Sequence, residues 1–191
     1  MAADYGQMTE NLRCFYDFTD KIVLFVGAGG RQLLDLSIRT RKVIAIDENV
    51  QSLSELKSKN SVEVVGSRFE DVALRGDVVY FEFCLHEMDD PGKALCHART
   101  LAPDIVVYDH APGSEWVFYG DEEEEVRRSA EAMERFGVRR RETLRTEQRF
   151  RDHAELLAKV SPQGAIAIQR AQRFAGAMNI VIPMSYELAL L

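Results

Sequence analysis

Glycines and an aspartate occur near the start of the chain at the spacing of a nucleoside-binding unit. The apolar run 22–26 ends at Gly27, Gly29 follows, and a second apolar run, 43–46, ends at Asp47. Glycine lets the backbone come close to a ligand, and an acid about twenty residues after the first glycine can accept hydrogen bonds from both ribose hydroxyls. The order of strand, glycine turn, helix, strand and acid therefore predicts a nucleoside site. The alternative is a structural turn followed by an acid without a ligand.

Two histidines follow apolar runs further along the chain. His86 comes after residues 77–81, and His110 comes after residues 105–108. Ligands of open α/β sheets lie beyond the carboxyl ends of the strands, so each imidazole is a candidate catalytic base; the alternative for His86 is packing or hydrogen bonding. We expect no metal site formed by these histidines and Cys84, because the chain has no closely spaced ligand pair such as Cys-x-x-Cys.

The elements that must position these residues alternate between strands and helices. Short apolar runs are typical of strands buried on both faces, and one charged segment, 138–151, is also predicted to be a strand. The predicted strands cover residues 22–26, 43–46, 62–65, 77–81, 105–108, 138–151 and 178–190. Helical spacing of apolar residues predicts helices after Gly30 and over residues 49–59, 91–102, 121–136, 152–160 and 162–173. Five strand–helix steps followed by a pair of strands predict a doubly wound α/β sheet with helices on both faces.

Length and charge narrow the class of protein. The 191 residues suffice for one domain with a full core, or for one domain with a small lid. The net charge of −7 argues against nucleic acid as the main partner. Three cysteines without paired spacing are typical of a reducing compartment. We see no signal peptide and no apolar run near the roughly 20 residues of a membrane span, and we therefore expect a cytoplasmic protein with no membrane partner.

The first twenty residues differ in pattern from the rest. Met8, Leu12, Phe15 and Tyr16 fall at helical spacing among polar residues, which predicts an amphipathic helix lying on the body of the protein. This segment, 1–20, is either a packing helix or a lid that brings Tyr5 or Tyr16 near the substrate. Residues 21–191 then form one domain.

Two runs of charge lie in the second half of the chain. The acidic run 122–125 is most simply a solvated helix start, because the helix dipole favours acids in the first turn. Six arginines between Arg139 and Arg151 predict an exposed strand that also blocks pairing with other chains. A phosphate-binding patch is the alternative for this arginine strip.

Three stretches together resemble the class I S-adenosylmethionine-dependent methyltransferases, particularly the small-molecule branch. Residues 23–29 resemble the first motif of that family, residues 43–47 resemble the second, and residues 77–91, with Leu-His-Glu-Met-Asp-Asp-Pro, resemble the fourth. The resemblance covers roughly residues 20–112. It implies a mostly parallel seven-stranded sheet with the last strand antiparallel, and S-adenosylmethionine as cofactor.

The resemblance also implies a set of cofactor contacts at the carboxyl ends of the strands. These are Gly27, Ala28, Gly29, Asp47, Glu48, Arg68, Phe69, Glu82 and Phe83. Asp47 would hold the ribose. Phe69 would stack on the base, although it could equally be a small core plug.

Two positions depart from the family pattern. Phe25 stands where the family carries an acid that helps to hold the amino group of the cofactor's methionine part, and Arg31 stands where it has a third glycine. Glu82, on the adjacent predicted strand, can supply the missing carboxylate. Gln32 also breaks the Gly-x-Gly-x-x-Gly dinucleotide fingerprint, which counts against a nicotinamide or flavin enzyme.

The resemblance implies in-line methyl transfer to a small molecule, with His86 or His110 as a base if the acceptor must lose a proton. One alternative is an RNA or protein methyltransferase that uses the arginine strip. Another is a non-catalytic nucleoside-binding protein of the same fold. For partners we expect a small-molecule substrate and no nucleic acid, and we leave a homodimer open.

Overall fold

The computed structural model describes residues 5–28, 39–49, 51, 53 and 62–191. Its helices are α1 (Tyr5–Phe15), α2 (Pro91–Leu101), α3 (Glu115–Gly120), α4 (Glu123–Phe136), α5 (His153–Val160) and α6 (Ala165–Ala171). Its strands are β1 (Ile22–Val26), β2 (Lys42–Ile46), β3 (Val62–Val65), β4 (Val78–Glu82), β5 (Asp104–His110), β6 (Arg140–Asp152) and β7 (Met178–Leu190). The helix predicted after Gly30, and most of the one predicted over 49–59, lie outside the described residues.

Seven strands form one sheet in the order β3-β2-β1-β4-β5-β7-β6. The pairs from β3 to β5 are parallel, whereas β7 runs antiparallel to both β5 and β6. The predicted fold class, a mostly parallel seven-stranded sheet with the last strand antiparallel, is confirmed. Because β1, β2, β4 and β5 are parallel, their carboxyl ends meet at one edge of the sheet, and we call this the carboxyl edge.

The central strands are continuous apolar runs because helices cover both faces of the sheet. On one face, α1, α5 and α6 contribute Leu12, Leu156 and Ala171 to a core that includes Phe25 and Tyr80. On the other face, α2 and α4 pack on the sheet through a second set of buried residues, Ala94, Leu95, Ala98, Leu101, Ala132 and Met133. Among the described residues, no helix is long and apolar enough to cross a membrane.

The helix α2 begins where local sequence dictates. Asp90 caps it by accepting a hydrogen bond from the Lys93 backbone nitrogen at 3.0 Å, and Pro91 occupies its first turn. Proline is favoured there because the nitrogen of that position has no partner within the helix. The far end of the loop between β4 and α2 is therefore held in place by the start of this helix.

The segment that contains α1 is attached to the amino end of β5. The Tyr16 hydroxyl donates a hydrogen bond to Asp104 Oδ2 at 2.7 Å, and Asp104 is the first residue of β5. Tyr16 thus lies at the sheet edge opposite to the carboxyl edge, away from the position near a substrate that a lid would give it. The Tyr5 side chain lies outside the described residues, so the choice between a lid and a packing helix stays a prediction.

Candidate functional site

A cavity of about 280 Å³ opens at the carboxyl edge, where β1, β2 and β4 end. Five of the nine predicted cofactor residues line it, namely Gly27, Asp47, Glu48, Arg68 and Phe69. The other lining residues are Val26, Ile46, Ser67, Glu70, Cys84, Glu87, Met88 and Asp89. The predicted contact Gly29 lies outside the described residues.

Gly27 lets two strand ends approach each other closely at the floor of this cavity. Its φ is +74°, in the left-handed region. A Cβ atom on it would lie 2.7 Å from Cys84 Sγ and 2.9 Å from the carbonyl oxygen of Glu82. Both the backbone angle and the space therefore require glycine here, and the bare backbone faces the cavity.

Asp47 follows β2 and lies beside Gly27, because the register pairs Val26 with Ile46 on the two adjacent strands. Its Oδ1 accepts a hydrogen bond from the Asn49 backbone nitrogen at 2.8 Å, which orients the carboxylate. Glu48 follows it and is exposed. The structure thus brings together the glycine and the acid that the sequence spacing predicted as a nucleoside site.

Arg68 joins three loops at the mouth of the cavity. Its guanidinium lies within 3.5–3.9 Å of the carboxylates of Glu48, Glu70 and Asp89. The neighbouring Phe69 is only 4% exposed, and its ring packs edge-to-face against Phe81 at 5.2 Å between ring centroids. The Phe69 side chain therefore fills space in the core and also forms part of the cavity wall.

Glu82 is the buried carboxyl group of this region. It lies on the same sheet face as Phe25, but the register partner of Phe25 is Tyr80. The Tyr80 ring stacks on Phe25 at 4.9 Å, and its hydroxyl donates a hydrogen bond to Glu82 Oε1 at 3.2 Å. Burial raises the pKa of Glu82 to about 8. The expected neighbours Phe25 and Glu82 are thus linked through Tyr80.

Three predicted cofactor residues do not line the described cavity. Ala28 is buried in the core on the α1 side of the sheet, and Glu82 is buried against Tyr80. Phe83 has a positive φ of 47° and packs its ring against His110 at 4.9 Å. Their roles as cofactor contacts stay predictions.

Asp109 organises the two predicted catalytic histidines. Its Oδ1 lies 2.5 Å from His86 Nδ1, its Oδ2 accepts a hydrogen bond from the His86 backbone nitrogen at 3.1 Å, and Oδ1 accepts one from the His110 backbone nitrogen at 2.8 Å. Burial by itself lowers the pKa of His86, but the hydrogen bond and negative charge of Asp109 outweigh it and raise that pKa to about 9. Burial lowers the pKa of His110 to about 4.

Glu122 is a site residue that the sequence analysis missed. Read as part of a solvated acidic run, it is instead half-buried at the start of α4, where Oε1 accepts a hydrogen bond from Gln163 Nε2 at 2.9 Å. The prediction of a solvated start over residues 122–125 holds for Glu123 and Glu124, which are exposed, whereas Glu125 is half-buried. It is wrong for Glu122, whose Oε2 is shielded from solvent. Nothing in the sequence distinguishes it from its acidic neighbours, because its contacts come from distant segments.

Comparisons with known proteins bear on the fold. No family model and no curated protein matches the chain. Among solved structures, it is similar to a candidate methyltransferase of Bacillus halodurans, with a TM-score of 0.68, 13% identity, and coverage of 97% of this chain and 98% of that one. A second is an S-adenosylmethionine-dependent methyltransferase of Aquifex aeolicus, with a TM-score of 0.55, 18% identity, and coverage of 95% and 88%.

A third similar structure is that of an enzyme named for a different reaction. It is the cyclase SpnF, with a TM-score of 0.61, 13% identity, and coverage of 96% of this chain and 78% of that one. At such identities the likeness concerns the fold, which is that of the class I S-adenosylmethionine-dependent methyltransferases. One fold supports several reactions, so function must be argued from the site.

Proposed function

We propose that the chain is an S-adenosylmethionine-dependent methyltransferase that acts on a small molecule. The observation that carries the proposal is that Gly27 and Asp47 lie side by side and line one cavity at the carboxyl edge. In open α/β sheets this edge is where ligands bind. The methyltransferases among the similar folds support the same assignment.

The residues of the cavity fit the nucleoside part of this cofactor. The Asp47 carboxylate can accept hydrogen bonds from ribose hydroxyls, and the bare backbone at Gly27 permits close approach. Glu82 does not line the cavity, but it ends β4 close to Gly27, and we propose its carboxyl group as the partner of the ammonium of the methionine part. When bound, the cofactor supplies an electrophilic methyl group.

The chain's contribution to methyl transfer is alignment and exclusion of water. An in-line displacement requires the acceptor to be held on the axis of the reacting bond, and a closed site protects the reaction from water. The cluster around His86 and His110 borders the cavity through Glu87, which lines it. An acceptor bound beside the cavity would have the imidazoles of this cluster as nearby candidate bases.

A small acceptor is supported by the charges of the described surface. Five of the six arginines of the strip 139–151 lie beside carboxylates of the chain itself, and these pairs are Arg139–Asp104, Arg140–Glu142, Arg141–Glu134, Arg149–Glu147 and Arg151–Asp152. Paired cations offer little attraction to phosphates. We therefore favour a small molecule over RNA as acceptor.

Calorimetry with S-adenosylmethionine and S-adenosylhomocysteine tests the cofactor assignment. We expect binding by the wild-type chain, weakened in Asp47→Ala by about 1–3 kcal/mol, the scale of a hydrogen bond to a charged group. Asp71→Ala, which removes an exposed acid that does not line the cavity, should bind as the wild type does. Unchanged affinity in Asp47→Ala would contradict the ribose assignment.

A labelling experiment tests the acceptor class. The chain is incubated with methyl-labelled S-adenosylmethionine and a cell extract that has been separated into small-molecule, RNA and protein fractions. We expect label in the small-molecule fraction only. Transfer to RNA or protein would contradict the acceptor class, and cofactor binding without any transfer would support a non-catalytic binding protein instead.

A further inference from the structure

Two histidines and a glutamate from three separate segments converge beside the cavity. They are His86 in the loop after β4, His110 at the end of β5, and Glu122 at the start of α4. One ligand-type atom from each lies within 4.8 Å of those of the other two. This spacing allows all three side chains to contact one ion between them.

Two atoms of this cluster have no hydrogen-bond partner among the described residues. They are His110 Nδ1 and Glu122 Oε2, and both are shielded from solvent. A buried polar atom without a partner is destabilising, and native structures rarely leave one unexplained. A single positive partner placed between the two side chains would satisfy both atoms.

His86 is held in the way that protein metal ligands usually are. Its Nδ1 is engaged by Asp109, so Nε2 is the ring nitrogen that would bind an ion. Histidines that bind metals commonly give their other ring nitrogen to a carboxylate, which orients the ring. Because Asp109 also accepts a hydrogen bond from the His110 backbone nitrogen, this one carboxylate positions both histidines.

The charges around the cluster favour a cation. The carboxylates of Asp109, Glu122 and Glu87 all act on His86. Lys159 acts on His110 with the opposite sign. A divalent ion bound by the imidazoles in place of the proton of His86 would be attracted by the three carboxylates.

We propose that His86, His110 and Glu122 bind a divalent transition-metal ion of the Zn²⁺ type. Two imidazoles and one carboxylate form a donor set that suits such ions, and three protein ligands leave a position open for water or a substrate atom. The site lies beside the candidate cofactor cavity, but it does not depend on the methyltransferase assignment. Binding of the metal alone therefore tests it.

The test uses the full chain, stripped of metal with a chelator and then titrated with Zn²⁺ and, for its visible spectrum, with Co²⁺. We expect one equivalent to bind, and Co²⁺ to give the absorption bands of a low-coordinate nitrogen and oxygen site. His110→Gln and Glu122→Gln should each weaken binding by about 10- to 100-fold or more, at least the effect of losing an outer-shell partner.

Matched controls separate this site from adventitious binding. Glu123→Gln changes the next residue, which is exposed and paired with Arg170, and His97→Gln changes a histidine outside the cluster; both should keep wild-type metal affinity. Zn²⁺ should raise the melting temperature of the wild type and of Glu123→Gln, because a ligand of the folded state stabilises it. Failure of the wild type to bind one equivalent, or equal affinity in His110→Gln and Glu122→Gln, overturns the proposal.

Discussion

At the scale of single residues, Glu82 is the carboxyl group that we propose in place of the acid missing at Phe25, and its protonation can be measured. The ring of Phe25 occupies the place of the family's acid and stacks on Tyr80, whose hydroxyl donates to Glu82. With a pKa of about 8, this buried carboxyl group is mostly protonated at neutral pH. An ammonium ion brought next to it would lower that pKa and favour the charged form.

We therefore predict that binding of S-adenosylmethionine at neutral pH releases close to one proton from Glu82. Calorimetry in two buffers of different ionisation enthalpy measures this release. In Glu82→Gln the release should disappear and the affinity should fall about tenfold, which corresponds to about 1.4 kcal/mol. Affinity of the wild type should rise as the pH approaches 8, because less work is then needed to ionise the group.

Glu187→Gln is the control for this experiment. Glu187 is also a buried carboxyl group with a pKa raised by burial, but it lies on β7 beside Arg141 and outside the cavity. Proton release in this variant should equal that of the wild type. Release that persists in Glu82→Gln would show that another group faces the ammonium.

At the scale of elements, the edge strand β6 explains why a strip of arginines need not be a nucleic-acid site. It pairs only with β7 in the described sheet and carries charged side chains, which protect the edge from pairing with other chains. Arg140 also has a structural task, since its guanidinium donates to the Phe15 carbonyl oxygen at 3.0 Å and lies over the Phe15 ring. This arginine fastens the end of α1 to the sheet.

We predict that reversing charge on the outer part of β6 leaves RNA binding weak and unchanged. The suitable variant combines Arg145→Glu with Arg149→Glu, both exposed, because Arg140→Glu would disturb the α1 contact. Titration of labelled RNA at several salt concentrations measures the effect. Submicromolar binding by the wild type that weakens steeply with salt and is lost in the double variant would instead indicate a phosphate-binding strip.

At the scale of the whole molecule, α1 completes the core on one face of the sheet. Met8, Leu12 and Phe15 are buried, and Asn11 Nδ2 donates a hydrogen bond to the Tyr186 hydroxyl on β7 at 2.8 Å. These contacts join the start of the chain to its last strand. The helix therefore contributes to the stability of the sheet as a whole.

We predict that Leu12→Ala lowers the free energy of unfolding by about 2–5 kcal/mol, the usual cost of removing a buried leucine side chain. Glu10→Ala, at an exposed position of the same helix, should change it by less than about 0.5 kcal/mol. Denaturant titration measures both values. A packing helix leaves the affinity for S-adenosylmethionine unchanged in Leu12→Ala, whereas a lid over the substrate would lose affinity without a comparable loss of stability.

The sequence by itself determined the strands and the glycine and acid of the cavity. Apolar runs such as 22–26 and 43–46 identify strands because a sheet covered on both faces leaves no polar positions in its centre. Gly27 and Asp47 follow such runs directly, and parallel strands bring their carboxyl ends to one edge. The local pattern was enough to predict the positions of Gly27 and Asp47, because each of them depends only on the strand that it follows.

Only the tertiary structure decided which side chains meet. Glu122 meets His86 and His110 because β5 ends, and α4 begins, beside the loop that follows β4. The acidic run in the sequence does not indicate this contact. Likewise, the ring of Tyr80 stacks on Phe25 because the register between β1 and β4 makes these two residues partners. Contacts between segments far apart in the chain depend on strand order and register, which are properties of the folded sheet.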